Sequence, residues 1–433
     1  MGFRPLSGLL RVLLADDSLL RNRNFLRMWI AATVAVLGGS VSQLALPLTA
    51  LQLLHASAGE MGLLFASGAL PFVLFSLPAG VWLDRREKRG VIVAFNLLGC
   101  AALAVDPLAA QFNFLSMPLL YLVDFIVGTG FCVGGSAAQI FVTQLVGRER
   151  LLEANSKRAS ASSIAGLIGP IVAGVLVGEL GAPRAVAVDA LAFLGSAALV
   201  GSIHFREMTP AATEAAFLAD VVEGLLFVWR HPLLRAFALM AAMCLLMFDG
   251  FMALYVMHAT RDLRLSPHQL ALVNTLAALG ALAGATSVHG LNRRLGKLAV
   301  IVLGLVLTAL GFIAYALVPP DGWAVALAGA ALFLVDAGMT AYTVNYLALR
   351  QLATPDAMLG RMTTTMRFLS VSAAPVGSVL AGYCADRFGL PPVLVGLGCG
   401  GLTAALLSRW LIARAVQPGR SGVLTPAFES RSA

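Results

Sequence analysis

The sequence has 433 residues, of which 59% are hydrophobic and only 12% are charged. Soluble globular chains are about half apolar and about a quarter charged, so this composition excludes a soluble enzyme, a disulfide-rich secreted scaffold and a disordered protein. We therefore expect an integral membrane protein, and its net charge of +8 has to be explained within that class.

Twelve apolar runs are long enough to cross the hydrocarbon core of a bilayer, which takes about 20 helical residues. The predicted fold class is therefore an all-α integral membrane protein with twelve transmembrane helices. The first six predicted spans cover residues 28–54, 62–83, 91–109, 118–142, 160–180 and 185–204. The second six cover residues 234–257, 268–291, 298–317, 323–348, 368–384 and 392–412.

The segments outside the spans are predicted to lie in the cytoplasm or on the membrane surface. Charges such as Arg11 and Asp16 interrupt residues 1–27, which is not the pattern of a cleaved signal peptide, so we expect a cytoplasmic amphipathic segment there. Residues 205–233 are predicted to be a cytoplasmic linker, with apolar side chains spaced as on a helix at the membrane surface. Residues 413–433 are expected to form a cytoplasmic tail.

Basic residues are distributed very unevenly between the two sides of the predicted spans. Only Arg184, Arg261, Arg264 and Arg387 lie in the odd-numbered loops. All other Lys and Arg residues lie in the even-numbered loops and the terminal segments. Cytoplasmic loops carry the excess of Lys and Arg, so both termini are predicted to be cytoplasmic. This rule explains the positive net charge without a nucleic-acid partner, and it predicts a multi-pass protein of the cell inner (plasma) membrane.

The two halves of the chain repeat each other at a nearly constant offset. Leu-Asp-Arg-Arg at residues 83–86 recurs as Leu-Asn-Arg-Arg at residues 291–294, an offset of 208. The segment before the first span recurs before the seventh at an offset of 208 residues. The segment after the fourth span recurs after the tenth at an offset of 207 residues. We therefore predict two six-helix bundles, residues 28–204 and 234–412, related by internal duplication.

Parallel duplication of a six-helix bundle is typical of secondary transporters. In that architecture the substrate binds near the membrane midplane, between two bundles that move around it. Transport of a small molecule is therefore the leading hypothesis. A receptor or scaffold built on the same fold stays open, because only the acids in the predicted cavity argue against it.

The loop after the second span resembles the signature loop of the major facilitator superfamily. The residues that match the signature are Gly80, Asp84, Arg85, Arg86, Lys88 and Arg89. The resemblance implies a conformational switch loop, in which Asp84 locks one state of the transport cycle. The second-half copy has Asn292 where this loop has Asp84, so the implied lock is asymmetric.

The fifth span resembles the Gly-Pro signature of exporters in that superfamily. The residues that carry the resemblance are Gly166, Gly169, Pro170 and Gly174. Small residues let helices approach closely and proline frees a backbone carbonyl for bending, so a hinge or a packing surface is expected here. The fourth span departs from the antiporter pattern, because Asp124 stands where many antiporters have an arginine.

Residues 148–156, 230–235, and 349–352 with 360–361 resemble the branch that holds the enterobactin exporter and the macrolide efflux proteins. The resemblance implies export of an amphipathic drug, macrolide or siderophore-like compound, by alternating access and as a proton antiporter. Import, or symport of a small metabolite, is the alternative, since the same fold can run in either direction under a suitable gradient.

Ionisable side chains deep in the membrane are costly, so each is a candidate functional site. Asp124, Asp249 and Asp336 are the deep ones, on the fourth, seventh and tenth spans. In the superfamily these spans line the central cavity together with the first. We therefore expect these acids to couple transport to protons, with Asp336 and Asp249 ahead of Asp124. Three acids without a deep cation favour a cationic or neutral substrate.

Polar side chains on these and later spans are the predicted substrate contacts. They are Ser40, Ser42, Gln43, Asn274, Tyr342 and Asn345. Each of them could instead form a hydrogen bond between helices, and that alternative stays open. Acids at the outer ends of spans are expected to be mainly structural, and these are Asp106, Glu179, Asp189 and Asp386.

No catalytic or cofactor motif stands out in the sequence. An intramembrane enzyme needs a cluster such as paired histidines or a serine beside a general base, and a nucleotide-driven pump needs a Gly-rich loop followed by Lys and Ser or Thr. The five cysteines lie in apolar runs without paired spacing, which argues against disulfides and a metal cluster. We therefore expect a monomeric transporter that is not an enzyme and has no cofactor or metal. Its expected partners are the substrate, the bilayer and protons.

Overall fold

The computed structural model describes residues 19–207, 217–355 and 358–415. Twelve helices within these ranges are long and apolar enough to cross a membrane, which confirms the predicted fold class. Most of the predicted N-terminal segment, most of the predicted tail and the middle of the predicted linker lie outside the described residues.

We number the twelve membrane helices α1 to α12 in chain order. The first six are α1 (Arg23–Leu53), α2 (Ala58–Asp84), α3 (Lys88–Gln111), α4 (Met117–Val146), α5 (Leu151–Leu180) and α6 (Ala182–Gly201). The second six are α7 (Pro232–Arg261), α8 (Pro267–Leu295), α9 (Lys297–Ala316), α10 (Ala324–Leu352), α11 (Leu359–Phe388) and α12 (Leu390–Ala415). Helix α4 contains a π-helical turn at Gly130–Gly134, and α11 is interrupted at Ser372.

The connection between α1 and α2 has the same local structure as the one between α7 and α8. Ser57 and Ser266 each begin a capping box, in which the serine hydroxyl and the side chain three residues later accept each other's backbone N–H. Each loop also contains a non-glycine residue with positive φ, His55 in the first and Arg264 in the second. Both pairs are 209 residues apart, which agrees with the internal duplication of the sequence.

Small residues bring the helices of each half close together. Gly304 of α9 and Gly338 of α10 face each other so closely that a methyl group on either would meet the carbonyl oxygen of the other. Gly280 of α8 packs in the same way against the backbone of Phe333 in α10. Lipid chains are as apolar as these helices, so van der Waals packing, and not exclusion from water, holds the bundle together.

Buried apolar side chains show where the two halves meet. One cluster joins both halves and includes Leu48 of α1 and Phe251 of α7. Two further clusters each belong to a single half, one around Phe141 and the other around Phe237. The halves are therefore packed together at the end of the bundle where α1 ends and α2 begins, which we call the closed end. Among the described residues, the two single-half clusters lie toward the opposite end, which holds the loop between α2 and α3 and which we call the open end.

A further helix, Phe217–Arg230, precedes α7 and is called the linker helix. It contacts α7 and the first segment of α11, with Val228 fully buried between them. Glu223 forms an ion pair of 2.8 Å with Arg361 of α11. The linker helix is thus attached to the second half of the protein.

Candidate transport site

A cavity of about 590 Å³ lies between the two halves. Helices α1 and α5 of the first half and α7, α8 and α10 of the second half form its walls. The polar residues that line it are Ser40, Gln43, Ser162, Ser163, Tyr255, Asn274, Asp336 and Thr340. Its other described lining residues are apolar or glycine, so the cavity offers a mostly apolar surface with a few polar groups.

Helical spacing places these polar groups on the cavity wall. Ser40 and Gln43 are three residues apart on α1, and Asp336 and Thr340 are four residues apart on α10. Residues three or four apart lie on the same face of an α-helix, so each pair presents two polar groups to the same space. The same spacing on α5 applies to Ser162, Gly166 and Pro170.

Asp336 dominates the electrostatics of the cavity. It lies near the middle of α10, and among the described lining residues it is the sole carboxylate, with no Lys, Arg or His beside it. Tyr255 of α7 and Asn274 of α8 line the same cavity, and Tyr255 lies within electrostatic range of Asp336. This arrangement can attract a cationic group or hold a proton at the centre of the protein.

The other two predicted coupling acids lie at contacts between helices. Asp249 of α7 is not among the lining residues, and its backbone carbonyl accepts a hydrogen bond of 3.2 Å from Ser378 of α11. Asp124 of α4 lies against Gly68 of α2, where any side chain would collide with its carboxylate. The structure therefore brings only Asp336 of the three into the cavity, and a coupling role for each of them stays a prediction.

Three of the predicted substrate contacts, Ser40, Gln43 and Asn274, line the cavity. Ser42 does not, because its side chain is buried and its hydroxyl donates a hydrogen bond to the carboxylate of Asp189 in α6. Gln43 and Ser40 are thus on the cavity face of α1, whereas Ser42 faces the helix behind it.

Tyr342 and Asn345 of α10 also lie away from the cavity. The ring of Tyr342 stacks on that of Tyr346 at 5.4 Å, and both are buried in the second half. The side-chain oxygen of Asn345 accepts a hydrogen bond of 2.8 Å from Asn292, the residue that replaces Asp84 in the second-half repeat. Binding of substrate by these two residues remains an untested prediction.

Sequence reasoning missed several residues of the cavity wall. They are Ser162, Ser163, Met252, Tyr255 and Thr340. A four-residue step from Asp336 identifies Thr340, and the same step from Gly166 identifies Ser162, so helical periodicity held the signal for two of them. Nothing in the sequence distinguishes Tyr255 from the tyrosines that pack inside the second half.

The family model of the Major Facilitator Superfamily matches residues 28–377 and 239–430. The chain belongs to the major facilitator superfamily. The multidrug efflux pump Tap of Mycolicibacterium fortuitum is 27% identical to it over 381 residues, which cover 85% of this chain and 90% of Tap. Macrolide efflux protein A of Streptococcus pyogenes is 22% identical over 370 residues, which cover 84% and 90% of the two chains.

The crystal structure of the nucleoside transporter NupG has the same fold. Its TM-score is 0.71 at 12% identity, with 90% of this chain and 98% of that chain covered. Membership in the superfamily confirms the predicted family, and it confirms that the chain is a transporter of small molecules and not an enzyme. The predicted location is confirmed as well, since a superfamily member with twelve membrane helices is a multi-pass protein of the plasma membrane.

The stretch on α5 that resembles the exporters' Gly-Pro signature places some of its residues in the cavity wall and others at contacts between helices. Gly166 and Pro170 line the cavity, and α5 continues through Pro170 as one helix. Gly169 packs against Ser40 of α1, and Gly174 packs against α8 at the closed end. Close packing is therefore visible for both of these glycines, and a hinge movement stays a prediction.

The loop that resembles the superfamily's signature lies at the open end. Four of its residues are exposed there, namely Gly80, Asp84, Arg85 and Arg86. The backbone N–H groups of Lys88 and Arg89 donate to the carboxylate of Glu207 at 2.6 and 2.7 Å, which caps the start of α3. Asp84 makes no hydrogen bond or ion pair with the residues that the structure describes, so the lock implied by the resemblance is not engaged in this state.

The remaining acids occupy different environments. Asp106 of α3 is fully buried, and neither of its carboxylate oxygens has a hydrogen-bond partner among the described residues. Glu179 is exposed near the end of α5, and Asp386 joins the two halves at the closed end. Within the described ranges, no group of three His, Cys, Asp or Glu side chains could hold a metal ion.

Proposed function

We propose that this chain exports an amphipathic, cationic or neutral small molecule by alternating access, in exchange for protons. The observation that carries the proposal is the position of Asp336, the lone carboxylate among the described residues that line the cavity between the halves. The volume of about 590 Å³ is in the range of small-molecule sites, which measure about 300–1,000 Å³. The mostly apolar wall fits a substrate with a large apolar part.

We assign the open end to the cytoplasm and both termini to the same side. The open end holds the basic loop with Arg85 and Arg86, and the excess of Lys and Arg marks cytoplasmic loops. In this orientation the described state receives its substrate from inside the cell. The names of Tap and of macrolide efflux protein A favour export as the direction of transport and a drug-like compound as the substrate.

The exchange of substrate for a proton depends on the single carboxylate of Asp336, in a cavity that opens alternately to each side of the membrane. An ionised Asp336 attracts the cationic or polar part of the substrate while the cavity faces the cytoplasm. After the halves move, a proton from the outside replaces the substrate on the carboxylate, and the neutral side chain permits the empty cavity to return. Tyr255 and Asn274, which line the same cavity, would hold polar groups of the substrate beside the acid.

Inside-out membrane vesicles test this proposal directly. We would compare wild type, Asp336→Asn and, as a matched control, Asp321→Asn, which changes an exposed acid in the loop before α10. Wild-type vesicles with an acidic lumen should accumulate a lipophilic cationic dye, and an uncoupler should abolish the uptake. Asp336→Asn should remove proton-driven uptake, whereas the control should keep it.

The same vesicles decide between the alternatives. Addition of substrate to wild-type vesicles should partly collapse the proton gradient, measured with a pH-sensitive fluorophore in the lumen. Unchanged uptake by Asp336→Asn would exclude this acid as the proton carrier. Movement of dye out of the vesicles down the proton gradient would instead favour the importer or symporter.

A further inference from the structure

We infer that Asp386 and Arg261 form a latch that holds the closed end shut in the described state and must release before that end opens. Both residues belong to the second half, and both form hydrogen bonds with the connection between α1 and α2 in the first half. The inference rests on the alternating access proposed above, and it identifies residues that set the balance between the two states.

Asp386 lies in the last turn of α11 and caps the start of α2. Its carboxylate accepts the backbone N–H groups of Ala58 and Gly59 at 2.8 and 2.9 Å, and the hydroxyl of Ser57 at 3.3 Å. The first N–H groups of a helix have no acceptor within it, and the helix dipole favours a negative charge at that end. An acid from one half therefore satisfies a helix terminus of the other half.

Arg261 is the last residue of α7 and makes the complementary contact on the preceding residues. One of its guanidinium nitrogens donates to the carbonyl oxygen of Ala56 at 2.6 Å and lies 3.4 Å from that of His55. The N–H of Ala56 bonds to the carbonyl of Ala50, so these residues complete the C-terminus of α1. A positive charge is favoured at the C-terminus of a helix. The two charges thus hold five consecutive residues, 55–59, from both sides.

Close helix packing coincides with the latch. A methyl group on Gly62 of α2 would meet the carbonyl oxygen of Ser378 in α11, and one on Gly382 of α11 would meet that of Ala58. Polar contacts and tight packing therefore lie at the same end of the same helix pair. Opening the closed end must break all of them together, because α2 and α11 belong to different halves.

The internal duplication shows that the latch is not repeated at the equivalent place on the other side of the interface. Gly181 and Gly389 end α5 and α11 with the same backbone conformation, which aligns the two helices at an offset of 208. The position that matches Asp386 is then Gly178, which packs against the ring of His268 at the start of α8. The pair α5 and α8 therefore has no carboxylate at this place, and the latch belongs to one side of the interface.

Distances between spin labels on a cysteine-free background in nanodiscs test the latch. Labels at Gln111→Cys and Gly322→Cys report the closed end, and labels at Gly90→Cys and Gly290→Cys report the open end. All four positions lie in a loop or towards the end of a helix, and each has room for a side chain, since Gln111 is exposed and a Cβ at each glycine meets nothing within 4 Å. Each pair joins one half to the other.

The decisive variant is Asp386→Ala, with Arg387→Ala as its matched control. Arg387 is the next residue and is exposed, and it packs over the ring of Tyr383 within its own helix. In the state with the closed end open, the closed-end labels are farther apart and the open-end labels are closer together. We expect Asp386→Ala to raise the population of this state about fivefold, because an exposed charge at a helix terminus contributes only modestly to stability. Arg387→Ala should match wild type, and Arg261→Gln should shift both pairs as Asp386→Ala does.

Other outcomes separate the latch from the proposed function. If substrate or a pH step moves both label pairs but Asp386→Ala leaves them as in wild type, the latch is wrong and alternating access stands. If neither pair moves under any condition, alternating access itself is contradicted. Should Asp386→Ala fail to yield a monodisperse protein, Asp386→Asn keeps the size and loses the charge, and it must shift both pairs in the same direction.

Discussion

The buried contact between Ser42 and Asp189 decides whether residue 42 supports the fold or binds substrate. Ser42 is 5% exposed and Asp189 is 0% exposed, and the serine hydroxyl donates to one oxygen of the carboxyl group. The other oxygen of Asp189 has no hydrogen-bond partner among the described residues. Ser42→Ala therefore removes the hydrogen bond that the structure shows for this buried group.

The size of the effect follows from burial. Leaving a buried polar group without its partner costs about 1–3 kcal/mol in proteins generally, whereas bonds between membrane helices average about 0.6 kcal/mol and reach about 1.7 kcal/mol. Complete burial of Asp189 places this bond near the upper end, so we expect a loss of about 1.5–2 kcal/mol. A loss of 1 kcal/mol lowers Tm by roughly 2–4 °C in chains of 150–250 residues and by less in longer ones, so Tm should fall by about 2–5 °C.

Thermal unfolding in detergent, followed by tryptophan fluorescence, measures this loss. Ser40→Ala is the matched control, because Ser40 lines the cavity on the same helix and its hydroxyl donates only to the carbonyl of Val36, at 3.0 Å. The control should unfold at the wild-type temperature and change only the transport KM. If Ser42→Ala keeps the wild-type Tm and raises KM, the structural role assigned to Ser42 is refuted, and the substrate contact expected from the sequence is favoured.

Three further predictions concern other parts of the molecule. Tyr255→Phe should raise the transport KM roughly fivefold at unchanged Tm, because it removes one hydrogen-bonding group worth about 1 kcal/mol from the cavity. Gly304→Val should destabilise the protein by about 1–3 kcal/mol through overpacking, whereas Gly195→Val, which faces open space, should leave Tm unchanged. Glu223→Lys should speed protease cleavage of the linker at a cost of less than about 1 kcal/mol, because its ion pair with Arg361 is exposed. Reversing both charges should restore protease resistance.

The helices were predictable because the bilayer sets their number and minimum length. Any segment that crosses the hydrocarbon core has to satisfy its backbone hydrogen bonds internally, so apolar runs of about 20 residues must be helices. The ends were less predictable, and the span predicted at 160–180 extends back to Leu151 in α5. Polar residues at the start of α5, such as Asn155 and Ser156, lowered the apolar character there without ending the helix.

The faces of the helices were the part that the sequence left open. In a soluble helix, the apolar face points to the core, but lipid and protein interior are equally apolar here, so hydrophobicity does not orient a membrane helix. Ser40 and Ser42 illustrate the result, since they are two residues apart and therefore point in nearly opposite directions. On α10, Asp336 faces the cavity and Tyr342 faces the interior of the second half, because the two residues lie on different faces of the helix.

Charges that break the internal duplication carry most of the proposed mechanism. The two halves repeat the same order of six membrane helices. Asp336 has no acid at the matching position of α4, Asp84 is replaced by Asn292, and the counterpart of Asp386 is Gly178. Asp386 and Asp84 end the adjacent helices α11 and α2 at opposite faces of the membrane, and only Asp386 is engaged in the described state. In the proposed mechanism, two similar halves supply two states, and single acids, each present in only one of the halves, determine which state is held and what enters the cavity.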